Sequence, residues 1–529
     1  MSALQPATRF AKATFLAAAL ATVCQYAHSQ TITAVMHAPL RSVDPTISTA
    51  YILRDFGYMI YDTLLAVDAN GRIQPQMASW AVSPDGKTYT FTLRDGLKWT
   101  DGKPVTAADC VASIRRWDKI DTLGQVMASY MGDIKVIDDK SFSMSFTQPT
   151  DIVLRAFSKP SNLAAFMMPK TVAETPPGQP ITSTVGSGPF VFNAAEYKPG
   201  IQAVFDKNKS YVPRKEPASG LAGGKVVKVD RVKWTTMPDP MTAMNALMSG
   251  EVDFIEQTPP DLLPMVQGNP DYVTTSYKGQ AMQDALRLNF TQPPFDNQKV
   301  RQAALLAIGQ KQVLEAQVGN NPKLYQTCAA VFGCGNAAAS NYGADKVIAP
   351  HPAEAKALLK EAGYTNAPVV LLSPTDNAKL TPMGPVLAQQ LRAAGFNVQL
   401  QSMDWATVTT RRTSKAPVSA GGWSAFFSTN VMPDIGDPIG YMEIAANGDK
   451  AWFGWPNVPA IEAARKKLAV TSDPAAAKAI ADELQHLAID NVVMIPVGQI
   501  EMVTVKSKKL AGQIDAAAPV FWNMTKAGR

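Results

Sequence analysis

Helices that stop at a glycine and run on into a strand recur along this chain, and they restrict its fold more than any other feature. Apolar residues return at helical spacing over 352–362 and 384–394, and each stretch is followed by a glycine, Gly363 and Gly395, where a left-handed residue ends a helix. Residues 397–401 then alternate as a strand. Earlier, 241–248 reads as a helix stopping at Gly250 before a strand over 251–255, and 297–314 carries a further helical period. Repeated helix-then-strand units build α/β sheets. Roughly 500 residues remain after the N-terminal segment is set aside, more than the ~250–300 one core organises, so two or three domains are expected.

That segment reads as a targeting signal. Residues 1–12 carry Arg9 and Lys12 and no acid, an apolar stretch of small residues over 13–23 is too short to span a bilayer, and Ala27-His28-Ser29 offers a cleavage site near Ser29/Gln30. Export, and a periplasmic location, are expected. Cys24 raises lipid anchoring as an alternative, although Ala21-Thr22-Val23 lacks a small residue just before the cysteine. Removing Arg9 and Lys12 lowers the formal charge of +6 by two, and with no Lys/Arg cluster anywhere a nucleic-acid partner is not expected.

The exported chain keeps Cys110, Cys328 and Cys334. Cys328 and Cys334 bracket a short glycine-containing segment, and in an oxidising compartment a local disulfide is expected; zinc is the alternative, with His351 the nearest histidine. Cys110 suits a buried helix face.

Strand 31–35 alternates, 58–65 looks like a helix running into a connection, and Asp85-Gly86 and Asp95-Gly96 are turn signals around an alternating strand over 88–93. Residues 76–106 read as a β-meander. Thr106, with Asp109 three positions later, opens a helix as an N-cap with an acidic capping box, and Arg115 and Arg116 suit its C-terminal dipole. Catalytic constellations are missing: there is no G-x-S-x-G, no H-E-x-x-H, and residues 219–226 match a phosphate loop only in part, with Ser219 and Val226 at its key ends. No catalytic, cofactor or metal residue is assigned, and no enzyme activity is expected.

Taken in order, Asp44-Pro45, Tyr61-Asp62-Thr63-Leu64, Pro75-Gln76-Met77-Ala78, the run from Ser83 to Arg94, Thr106-Ala107-Ala108-Asp109, Gly186-Ser187-Gly188-Pro189-Phe190, Gly250-Glu251-Val252-Asp253 and Pro293-Pro294-Phe295-Asp296-Asn297 resemble the bacterial extracellular solute-binding proteins of family 5, which serve dipeptide, oligopeptide and nickel uptake. The resemblance implies an α/β, two-lobed periplasmic binding protein fold of type II, with an extra domain and a hinge-closing ligand cleft. It implies lobe I from 30–75, 171–279 and 493–529, an inserted domain over 76–170, lobe II over 280–492, and hinge crossings near Gly279 and Val493. The implied function is capture of a peptide or small-molecule solute for inner-membrane ABC permease subunits and their ATPases, by a monomer. A nickel- or chelate-binding protein, a chemosensory protein of the same fold and a secreted hydrolase are the alternatives.

In peptide-binding relatives an acid in a Gly-Trp…Asp-x-Gly-Asp-Pro segment holds the ligand ammonium. The match here is Gly422-Trp423 and Asp434-Ile435-Gly436-Asp437-Pro438, so Asp434 is the expected ligand contact. Trp423 either stacks on the solute or packs beneath the cleft, and Tyr51 and Arg54 fall where the first lobe approaches the ligand. The arginine that clamps the peptide carboxylate in dipeptide-binding members has no counterpart over 372–378.

Overall fold

The computed structural model describes Ser2 and residues 30–528; the expected signal segment and Cys24 lie outside the described residues. Two mixed sheets carry the architecture. The first has seven strands, in spatial order Tyr272–Ser276, Val503–Ser507, Phe254–Ile255, Thr31–Val35, Arg231–Thr235, Gln202–Lys207 and Phe190–Phe192. Thr31–Val35 pairs in parallel with both its neighbours, and the other pairings are antiparallel. The second has six, Tyr325–Gln326, Ile495–Ile500, Met282–Leu288, Ala425–Val431, Pro368–Pro374 and Asn397–Met403. Each sheet is flanked by helices, giving the two α/β lobes expected from the sequence.

The chain passes between the sheets after Tyr272–Ser276, through a 3₁₀ turn at Lys278–Gln280, and returns between Ile495–Ile500 and Val503–Ser507. The return therefore runs through Glu501 and Met502, not near Val493. Strand Ile495–Ile500 pairs with Met282–Leu288, which holds it in the second sheet until the crossing.

Between the first helix and the later strands of the first lobe lies a four-stranded antiparallel sheet, ordered Ala78–Val82, Thr88–Leu93, Ser141–Phe146, Met131–Val136. The meander expected over 76–106 stops after its first hairpin. Residues 95–106 add only a bridge between Lys98 and Pro104, and the third strand arrives from 141–146. Thr106 and Asp109 do form a reciprocal capping box at the start of helix Ala107–Trp117. This unit also leans on the second lobe: Thr122 donates to the Gly440 carbonyl (2.9 Å), Tyr130 to Lys466 (2.9 Å) and buried Thr150 to Ala469 (2.6 Å).

Several sequence signatures turn out to be structural fasteners. Asp44 is fully buried and accepts from the Thr46 and Ile181 amides, while Arg116 reaches it at 3.3 Å. Arg116 is thus a buried clasp; only Arg115 remains as a dipole cation. Asp62 accepts from Lys225 (2.7 Å) and Tyr211 (2.9 Å), so the lysine of the phosphate-loop-like segment is already engaged. A Cβ on Gly186 would stand 1.8 Å from the Ile60 carbonyl oxygen, so only glycine fits there.

The helix expected over 297–314 is two helices, Gln298–Ala307 and Gln310–Val318. The Gln390 side-chain amide bonds both backbone groups of Gly309 at the break, replacing the helical bonds that are lost. The helix near 58 begins earlier than expected and spans Tyr51–Ile60. Cys328 and Cys334 are disulfide-bonded, with Cα atoms 5.8 Å apart, and Cys110 is a buried thiol. The disulfide loop packs beneath 432–436, where Gly333 faces Met432 and Ile435. Among the described residues no helix is long and apolar enough to cross a membrane.

Replacing Gly186 by Ala should destabilise the protein by about 1–3 kcal/mol, the usual cost of overpacking, because the atom it meets is backbone and cannot rotate away. Urea denaturation of wild type and variant measures this, and an unchanged midpoint would show that the Ile60 backbone yields.

Candidate ligand cleft between the sheets

Where the two sheets face one another, residues of the first lobe (37–53) and of the second (376–452) enclose a cavity of about 230 Å³. A wider, more open groove of about 1030 Å³ lies beside it, lined among others by Val67, Lys159, Lys278, Asn336, Asp434 and Asp437. Tyr51 lines the first and Asp434 the second, and the bond between them forms the partition. The smaller cavity is the stronger candidate for a ligand, because Arg412, Trp452 and Thr429 of its wall each hold a buried polar atom without a protein partner, against Arg155 alone on the wider groove.

Asp434 sits in the short helical turn Met432–Ile435 that leaves the second-lobe strand Ala425–Val431. One carboxylate oxygen accepts from Tyr51 Oη at 2.9 Å and the other from the Asn162 amide at 3.2 Å. Tyr51 Oη in turn accepts from the Val431 amide at 2.9 Å. Burial pushes the Asp434 carboxyl up, against the charges of Lys159 and Arg54. The acid expected to meet a ligand ammonium is therefore bonded across the cleft by the protein itself.

Arg54 stacks its guanidinium 4.4 Å from the Tyr51 ring centre, pairs with Asp55 at 2.7 Å and donates to Ser161 at 2.9 Å; it stands behind the cavity wall. Trp423 is fully buried, donates to the Ser414 carbonyl and packs on Phe426 and Trp455, so of its two readings the packing one matches its position. Gly422 beside it is steric, since a Cβ there would stand 1.9 Å from the Ala416 carbonyl oxygen.

Two cations that the sequence reading passed over line the cavity. Lys379 follows directly on the stretch where an arginine was sought; it is buried and donates to Gln257 of the first lobe at 3.1 Å. Burial lowers its ammonium to about 8, despite Glu256 and Asp284 nearby. Arg412, at the end of helix Trp405–Arg411, is 3 % exposed and ringed by Trp405, Phe426, Trp452 and Phe453, with centroids 5.0–5.6 Å away. Among the described residues its side chain makes one hydrogen bond, a long one of 3.5 Å to Thr49 across the cleft, and burial lowers it to about 10. In sequence it was hidden, because Arg411-Arg412 at a helix end looks like a pair of dipole cations. Arg411 does turn outward, onto the Gly421 and Gly422 carbonyls.

At the edge of this wall His37 holds Glu256 at 2.8 Å and lies 3.8 Å from Asp55, both acids standing behind the lining, and the Asp55 carboxyl is raised to about 6, chiefly by burial. Asp284, on strand Met282–Leu288, is fully buried with neither oxygen accepting a hydrogen bond of good geometry; burial raises it to about 7.

A family profile described as bacterial extracellular solute-binding proteins, family 5, middle region, matches residues 72–452. A probable peptide ABC transporter periplasmic-binding protein of Sinorhizobium fredii is 41% identical over 491 residues, covering 92% of this chain and 91% of its own. The dipeptide-binding protein DppE of Bacillus subtilis is 25% identical, covering 83% and 81%. Among solved structures, a dipeptide-binding protein from Pseudoalteromonas sp. SM9913 with bound Met-Leu superposes with a TM-score of 0.78 at 20% identity, over 94% of this chain and all of that one. The periplasmic binding protein AgaA in complex with agropinic acid gives 0.79 at 22%, over 94% and 99%.

Two measurements test the cleft. Tyr51→Phe removes the hydroxyl between Asp434 and Val431, leaving buried groups unpaired only in the closed state. Closure, followed by small-angle scattering with bound solute, should weaken by about 1–3 kcal/mol; unaltered closure would show that the bond does not hold the lobes. Asp284, raised in the folded state, favours folding below about pH 4, and that contribution is lost as pH rises through about 7. Asp284→Asn should therefore gain in melting temperature over wild type between pH 4.5 and 7.5, and parallel pH profiles would refute this. From its sequence profile and a relative matched over nine-tenths of its length, the chain belongs to the bacterial extracellular solute-binding proteins of family 5.

Proposed function

We propose that this protein is the periplasmic capture subunit of an ABC uptake transporter, which closes its two lobes around a peptide or peptide-like solute and delivers it to the membrane permease. The observation that carries the reading is the enclosed cavity between the sheets, whose wall is drawn from both lobes and whose buried Arg412 and Lys379 face it. Contacts made on both lobes at once let a ligand select the closed state. The names of relatives support the peptide class, since the Sinorhizobium protein is called a probable peptide transporter component and DppE a dipeptide-binding protein. Family membership also supports export and partnership with permease and ATPase subunits, the ordinary partners of such a protein.

The alternatives gain less. A chelate-binding role would draw on His37, whose Nδ1 is already taken by Glu256. A hydrolase would need a nucleophile activated by a base at the cavity; of the serines and threonines in its lining, Ser428 donates to Glu443, and that carboxylate oxygen is shared with Asn430 and fully buried behind the wall.

The test is binding without turnover. Protein purified from residue 30 onward and freed of co-purified solute should gain melting temperature with one class among di- and tripeptides, metal chelates and small acids. It should also contract in scattering on binding and release the ligand chemically unchanged. Conversion of the ligand would sink the reading.

A further inference from the structure

We propose that the enclosed cavity selects a compact anionic solute by its carboxylate, held by Arg412 with Trp452 while Lys379 adds positive charge to the same lining, and makes no demand for a ligand ammonium group. The inference rests on the reading of the cleft as a solute site and narrows it to a chemical class.

Three observations lead there. The first is unsatisfied donors. Arg412 Nε, Trp452 Nε1 and the Thr429 hydroxyl are buried in the cavity wall without a protein partner. A buried donor left unpaired costs about 1–3 kcal/mol, so three on one wall point to an acceptor supplied from outside. Planar guanidinium with an indole N–H beside it suits a carboxylate, which accepts from several donors at once.

The second is charge. With His37 set aside because it holds Glu256, the charged residues that line the cavity are Arg41, Lys379 and Arg412 against Asp376, an excess of cations over the single acid. Acids behind the wall act on these cations at longer range, Glu256, Asp284 and Asp55 on Lys379 and Glu443 on Arg412, but form an ion pair with neither. Glu256 is held by His37, Asp55 by Arg54, and one oxygen of Glu443 by Ser428 and Asn430; Asp284 carries no ion pair. Among the described residues no carboxylate lies within 4.0 Å of the Arg412 guanidinium or the Lys379 ammonium. Asp376 itself is engaged by the Trp405 amide at 2.6 Å.

The third is the position of the acid that the motif assigns to a ligand cation. Asp434, the acid that would take an ammonium, already accepts from Tyr51 and the Asn162 amide and lines the outer groove, on the far side of the Tyr51 bond. Size agrees with a small cargo: about 230 Å³ is below the roughly 300–1,000 Å³ of typical ligand sites. The aromatic faces of Trp405 and Trp452 supply apolar wall for its carbon skeleton.

The test uses solute-free mature protein and matched probes: alanyl-leucine, N-acetyl-alanyl-leucine and alanyl-leucine amide, with phenylacetate against phenylacetamide and succinate against succinamide. Thermal shift and calorimetry are read for wild type, Arg412→Met and Asp434→Asn. Expected are shifts confined to carboxylates, kept on N-acetylation and lost on amidation, at least tenfold weaker binding in Arg412→Met, and an unchanged order of ligands in Asp434→Asn. Amides binding as well as acids, or N-acetylation abolishing a shift that Asp434→Asn also abolishes, would overturn the inference while leaving solute capture intact. Absence of any shift would overturn it too. Mass spectrometry of solute released on denaturing the purified protein then separates the two failures: a neutral or cationic solute removes only this inference, whereas no solute at all removes the capture reading as well.

Discussion

Charge removed from water must find a partner, and the interior of this protein is arranged around that requirement. A buried ion without a counter-ion or hydrogen bonds costs several kcal/mol, more than most single packing contacts return. The sheets bring many ions inside: Arg54 and Asp55, Asp62 and Lys225, Arg116 and Asp44, Lys159 and Asp121, Asp434, Asp284, Lys379 and Arg412. Most are closed into pairs within one lobe, as Lys225 is on Asp62 and Lys159 on Asp121. A smaller set finds partners only when the lobes meet. Tyr51 with Asp434, Lys379 with Gln257 and Arg412 with Thr49 all join first lobe to second.

This division explains what the family signatures are for. Asp44, Asp62, Gly186 and Gly422 are spent on holding loops and helix ends where the lobes need them, by ion pairs or by leaving room for a carbonyl oxygen. None lines the enclosed cavity. A signature shared by binders of different cargo describes the frame, and cargo is chosen by residues outside it. Lys379, Arg412 and Trp452 belong to that second group.

The same division decides what could be read in the sequence. Two α/β lobes were legible because glycine-stopped helices and alternating strands are local signals, as at Gly250, which caps helix Pro240–Ser249 in the left-handed conformation, and at Asn397–Met403. Failures came where a distant group overrode a local rule. Gln390 supplies the bonds that let the helix expected through 314 break at Gly309. The third strand of the small sheet comes from 141–146, beyond any hairpin reach of Leu93. Arg116 read as a cation at a helix end and Arg412 gave no signal of its own, and both are buried because another element folds over them. Asp434 was found by its motif, yet its motif could not show that Tyr51 and Asn162 would reach it first.

Empty closure and loaded closure differ in this arrangement. The Tyr51 to Asp434 bond joins two protein groups and involves no solute atom, so by itself it favours the closed state without discriminating. Arg412 and Lys379 act the other way. Closing an empty cleft strips water from two cations that lack a counter-ion, and the lowered values of about 10 and about 8 express that desolvation. An anionic solute removes the penalty at the moment the lobes meet. A ligand shifts such an equilibrium only by its preference for one state over the other, and here the preference has an electrostatic source in both lobes' shared cavity. The Tyr51–Asp434 bond fixes how the lobes meet, and the unpaired cations decide when.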